Sequence, residues 1–129
     1  VRIIAGKYGE VDGRFAGDFV RTTYLAVEVF AGCEWSFPVG PGATVFAYML
    51  DGSGRFGDDE RLMVPRQAVL FDTGDSIVGR ASDQGVRFLL LAANPLGEPI
   101  AWGGPIVMNT RSELDQAFLE IGNGTFIRI

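Results

Sequence analysis

The sequence predicts an all-β sandwich or barrel that ends in one α-helix. Short runs of β-favouring residues recur at even spacing, with turn residues between them. Eighteen glycines in 129 residues, about twice the usual share, are spread through the chain and supply those turns. Only towards the C-terminus does the apolar period change from that of a strand to that of a helix.

Val1–Ala5 opens as a short β-rich run, stopped by Gly6 and the Gly9–Gly13 turn region. Thr22–Phe30 alternates, with Tyr24, Ala26, Glu28 and Phe30 on one side and Thr23, Leu25, Val27 and Val29 on the other. That is the period of a half-buried strand. Glu34–Phe37 and Thr44–Leu50 follow, parted by a turn at Pro38–Gly42. Asp51–Gly57 reads as a glycine-rich hairpin. Further short strands are expected at Arg61–Val64, Ala68–Phe71 and Ser76–Gly79, with a turn at Asp72–Asp75. Phe88–Ala93 is apolar on both faces and therefore needs cover on both.

The helix announces itself at Thr110-Arg111-Ser112-Glu113, the spacing of a capping box. Leu114, Ala117, Phe118 and Ile121 then fall on one helical face. The expected helix is Arg111–Ile121, with Gly122 as the left-handed residue that ends it. Residues 1–129 read as a single domain, without repeats or linkers.

Composition removes several chemistries. The chain has no histidine and one cysteine, Cys33, so it cannot build a Cys/His zinc site, a two-histidine iron site or a histidine-dependent triad. Lys7, the one lysine, is the sole candidate for Schiff-base chemistry. A net charge of −5 argues against a nucleic-acid partner. No apolar run approaches the ~20 residues of a membrane span, so no membrane partner is expected. A lone cysteine suits a reducing compartment, and a cytoplasmic location is expected. Val1 in first place and the lack of a signal-peptide pattern suggest a piece of a longer protein or a trimmed product.

The remaining motifs have ordinary readings. Gly52-Ser53-Gly54-Arg55-Phe56-Gly57 is a literal G-x-G-x-x-G. It runs into Asp58-Asp59-Glu60, which would repel phosphate, and then into another strand rather than a helix. Those three acids are consecutive, unlike the spaced ligands of a calcium loop, and read as a solvated turn. Glu28, Asp72 and Asp75 are acids that nothing in the sequence pairs. Cys33 reads as a small buried side chain, and Asn123-Gly124-Thr125 as a helix-exit turn. Tyr24, Trp35, Tyr48 and Trp102 are the candidates for lining the interior of the barrel.

The segments Leu91–Ile100, Gly104–Thr110, Gln116–Phe118 and Asn123–Phe126 together resemble the C-terminal domain of the pirin family. Upstream, Ile3, Ala5-Gly6, Thr23–Leu25 and Tyr48–Gly52 fit the same domain, so the resemblance spans the chain. It departs at Gly103, Ile106 and Ile121, where aromatic residues are expected. The resemblance implies a cupin-type jelly roll, one of two in tandem in that family. It also implies that the metal, usually iron, and a quercetin-dioxygenase-type activity belong to an N-terminal cupin domain outside this chain.

Carried onto this sequence, the cupin ligand positions fall at or beside Pro38 and Gly40, and on Val45 and Ile77. None of the four is a metal ligand. The resemblance therefore implies a domain with no catalytic, cofactor-binding or metal residue of its own. Its expected role is structural support and an interaction surface, with the N-terminal cupin domain, a second copy or another protein as partner. Two alternatives stand beside it. The chain could be part of a dioxygenase whose metal lies in the other domain, or it could bind a small apolar molecule in the barrel.

Overall fold

The computed structural model of the chain describes residues 1–127. Its elements are β1 (Arg2–Ala5), β2 (Lys7–Tyr8), β3 (Val11–Asp12), β4 (Thr23–Val29), β5 (Glu34–Pro38) and β6 (Thr44–Phe56). After these come β7 (Ala68–Leu70), β8 (Ser76–Ala93), β9 (Ala101–Gly103), β10 (Ile106–Met108) and α1 (Arg111–Gly122). The chain forms two compact units, Val1–Pro95 and a second from Leu96 onward. The reason is local pairing: past Pro95 the strands β9 and β10 hydrogen-bond only to each other, and α1 packs with them.

The first unit is built around two long strands. β8 pairs with β4 from Thr23↔Ala92 to Val29↔Val86, and with β5 from Glu34↔Arg80 to Pro38↔Ser76. β6 follows β8 along its length, from Thr44↔Ala93 to Phe56↔Gly79, with irregularities between Met49 and Asp51 and between Gly52 and Gly54. β1 and β7 complete the order β1-β4-β8-β6-β7. Strands that bend at bulges and pass from one layer to the other are how a sandwich turns its corners. Leu25, Val27, Phe37, Val45, Met49, Phe56, Ile77, Phe88 and Leu90 then meet in one core cluster drawn from β4, β5, β6 and β8.

The expected hairpin at Asp51–Gly57 is instead the second half of β6, and the turn comes at Gly57–Asp58. Its glycines serve close approach rather than reversal. A Cβ at Gly52, where φ is +65°, would stand 2.2 Å from the Gly85 carbonyl oxygen. Ser53 and Ser82 share a hydroxyl hydrogen bond of 2.8 Å across the same corner. Ser76–Gly79 and Phe88–Ala93 are two ends of one strand, β8, joined through the polar stretch Arg80–Arg87. Of Arg61–Val64, only Met63 forms a bridge, to Gly54. The small ribbon β2–β3 turns at Gly9 and Glu10, with β3 inside the expected Gly9–Gly13 turn region, and the β9–β10 hairpin matches none of the expected strands.

Phe88, Leu90 and Ala92 are buried, while Leu89, Leu91 and Ala93 on the opposite face of β8 are half-covered. Tyr24 and Phe46 flank Leu91 there, and Ala26 and Tyr48 flank Leu89. The outer face of this sheet is thus an apolar field.

In the second unit Ile106, Leu114 and Ala117 form the core, with Ala101 and Met108 against it. Thr110 caps α1: its Oγ1 accepts from the Glu113 amide at 3.2 Å, and the Thr110 amide donates to Glu113 Oε2 at 2.8 Å. The helix ends one residue later than expected, with Asn123 as its cap and Gly124 at φ +70°. A Cβ at Gly103 would lie 3.0–3.1 Å from Phe118 and Leu114, so the glycine makes room for the helix. Asn109 donates to Glu98 Oε2 and to the Pro99 carbonyl, at 2.9 and 3.0 Å.

Hydrogen bonds from Thr110 hold the Glu113 carboxyl below its ordinary value. Its contribution is therefore present above the ordinary glutamate range and is lost as pH falls through the lowered value. Thr110→Ala is expected to cost about 0.5–2 kcal/mol, because an amide of the first turn loses its acceptor. Denaturant midpoints check this; an unchanged midpoint at unchanged slope would mean that Thr110 is not the cap.

Candidate functional site

One end of the first unit gathers the start of β4, the end of β5, the start of β6 and the end of β8. Antiparallel pairing sets Thr23 opposite Ala92 and Thr44 opposite Ala93, and Phe37 and Pro38 at the end of β5 border the same cleft as Ala92 and Ala93. A cleft of about 160 Å³ opens there. Phe37, Val39, Ala43 and Ala92 give it apolar walls, Pro38 and Gly40 are at its edge, and Arg21, Thr23 and Asn94 bring its polar groups. A second cavity of about 500 Å³ shares Arg21 and Thr23 and adds Lys7, Asp12 and Asp18.

The four cupin ligand positions lie at this end. Pro38 and Gly40 are exposed. Val45 and Ile77 are buried in the core, next to Ala92 and Phe37 in the strand pairing. Among the described residues no polar or charged side chain is buried, and no three acids, cysteines or histidines come together as metal donors. Alkyl groups have no lone pair to give a metal. The residues of this interior do not fit a transition-metal centre.

The candidate lining residues separate. Trp35 packs on the core, stacked on Phe37 at 5.9 Å and edge-on to Phe88 at 5.5 Å, and its indole N–H donates to the Tyr8 hydroxyl at 3.0 Å. Tyr24 and Tyr48 lie on the outer face, because Leu25, Ala47 and Met49 take the inward alternation. Trp102 belongs to the second unit, is 73% exposed, and donates its indole N–H to the Gly104 carbonyl. The interior aromatics are instead Phe37, Phe56 and Phe88, with Trp35, Tyr8 and Phe71 packed against them. Phe37 and Phe88 could be found from strand parity; Phe56 was hidden by the hairpin reading.

The acidic run resolves into surface ion pairs. Asp59 meets Arg61 at 2.7 Å, and hydrogen bonds from Arg61 hold its carboxyl below the usual range. Glu60 faces Arg55 at 3.6 Å. Asp72 accepts from the Thr73 amide and Asp75 from the Ser76 hydroxyl, each within its own turn. Cys33 is exposed rather than buried, because it sits in the turn before β5, where its amide donates to the Phe30 carbonyl.

A β-sandwich of this strand order, with its mouth at the end of the layers, is a cupin-type domain. The chain belongs to the pirin family, matching the Pirin C-terminal cupin domain over residues 24–127. It is 34% identical to human pirin over 105 residues, which cover 79% of this chain and 36% of pirin. A pirin-like protein of Arabidopsis thaliana is 35% identical over 130 residues, covering 95% of this chain and 42% of the relative. A crystal structure of quercetin 2,3-dioxygenase from Acinetobacter baumannii superposes with a TM-score of 0.84 at 29% identity, covering 96% of this chain and 42% of the enzyme. The chain thus spans about half the length, or less, of the curated relatives it matches. Among the described residues no helix is long and apolar enough to cross a membrane.

Proposed function

We propose that this domain is the non-metal half of a two-cupin protein, giving structural support and an interaction surface. The observation that carries the reading is the interior itself. Val45 and Ile77 stand in a closed apolar core where a metal-binding cupin needs imidazoles or carboxylates. The test is elemental analysis and oxygen uptake with quercetin after iron, copper, manganese or nickel is added. No stoichiometric metal and no turnover are expected. One tightly held metal per chain with turnover above blank would overturn the reading.

The outer face of the main sheet is the surface this role uses. Its rows Tyr24–Leu91–Phe46–Leu70 and Ala26–Leu89–Tyr48 are apolar across neighbouring strands. The partner is a second cupin domain of the same protein or, for the chain alone, a second copy. The 129-residue chain is therefore expected to self-associate on a size-exclusion column with light scattering. A clean monomer that leaves a hydrophobic dye unbound would contradict this.

A second reading has its own support in the quercetin 2,3-dioxygenase name of the superposed structure. In it the domain is a fixed part of an oxygen-consuming enzyme whose metal is held outside these residues. A reading frame in which histidines at cupin spacing precede this chain, and whose product takes up oxygen with quercetin, would favour it. A full-length product without such uptake would return the choice to a supporting role.

A further inference from the structure

We propose that the mouth of the first unit binds a small carboxylate, held by Arg21 and flanked by Thr23 and Asn94. This goes beyond the supporting role and does not depend on it. Of the residues lining the 160 Å³ cleft, Arg21 alone is charged. It is exposed, and among the described residues it makes no ion pair. Its planar fork of N–H donors matches a carboxylate edge. The Thr23 hydroxyl and the Asn94 amide make no side-chain hydrogen bond among the described residues, so both are available to an oxygen in the cleft.

The other walls set the rest of the ligand. Phe37, Ala43 and Ala92 are apolar, so the body attached to the carboxylate is apolar as well. At about 160 Å³ the cleft is smaller than the ~300–1,000 Å³ that holds a drug-sized molecule, which limits the ligand to a few carbons or one ring. The larger neighbouring cavity carries Asp12 and Asp18 beside its cations, so an anion is drawn to the cleft rather than there. With a net charge of −5 the chain has no general pull on anions, and recognition has to be local.

Benzoate titrated into the ¹⁵N-labelled 129-residue chain is the test, with benzamide as its uncharged counterpart. Saturable shifts of the Thr23, Phe37, Gly40 and Asn94 amides are expected, with benzamide at least tenfold weaker. Arg21→Met should weaken benzoate at least tenfold, the order of loss for a hydrogen bond to a charged group. The absence of saturation, shifts centred elsewhere, equal binding of benzamide, or undiminished benzoate binding by a folded Arg21→Met protein would each overturn the proposal. Should Arg21→Met fail to fold, the benzoate-to-benzamide ratio on the unaltered chain decides.

Discussion

Phe88→Ala is expected to remove about 3–5 kcal/mol, a large share of the ~5–15 kcal/mol that holds a domain together. The ring is fully buried and meets Trp35 and Phe56 edge-to-face at 5.5 and 5.2 Å. Those partners come from β5 and β6, so removing the ring opens a cavity between strands that no single neighbour can refill. Denaturant unfolding measures the loss directly, with Leu89→Ala as the internal comparison. Leu89 is the adjacent residue on the half-covered face, and its truncation should cost clearly less. Equal losses at the two positions would mean that the outer face is as fully packed as the core.

Gly52→Ala should cost about 2–5 kcal/mol through two terms that act together. The backbone at φ +65° is strained for any residue with a side chain, which costs about 1–2 kcal/mol. The new methyl would also stand 2.2 Å from the Gly85 carbonyl oxygen and 2.9 Å from its carbon, and such overpacking adds about 1–3 kcal/mol. Gly57→Ala separates the terms. Gly57 has φ +60° but open space around its Cβ position, so it bears the conformational cost alone, about 1–2 kcal/mol. Melting or denaturant curves of the two variants decide the matter. Equal destabilisation would show that the corner between β6 and β8 gives way to a methyl group.

The elements legible in the sequence were those whose signal is local. Period 2 over Thr22–Phe30 placed β4 and grouped Leu25, Val27 and Val29 on one face, the face that meets the core. The capping box placed the start of α1 at Arg111, since both its hydrogen bonds lie within four residues, and the apolar period carried the helix to within one residue of its end. Failures came where a distant partner decides the local structure. Gly52 and Gly54 look like turn residues, yet they pair with β8 across an irregularity in the strand, where β8 approaches too closely for any side chain. Arg80–Arg87 lacks alternation because its polar residues form the bend where β8 leaves one layer for the other.

The site was legible by residue type and not by place. A chain without histidine shows what it cannot build, and Val45 and Ile77 fell in the core at the positions the family pattern assigned. Arg21 carried no such signal. It precedes β4 in an irregular stretch, and only the fold sets it beside Phe37 and Asn94. Likewise, the aromatics Tyr24 and Tyr48 are placed outward by strand parity that their chemistry does not reveal.

Because β8 runs unbroken through both layers, neither layer can open by itself. Releasing β5 strips one side of the Ser76–Arg80 end of β8, and releasing β4 strips one side of its Val86–Ala92 end. β6 is paired along both stretches at once and passes any loss on one side to the other. Local unfolding in such an arrangement has few small units to work with: the edge strands β1, β5 and β7 and the β2–β3 ribbon. The first unit should therefore melt as one cooperative body, its opening free energy nearly the same from end to end of that shared strand.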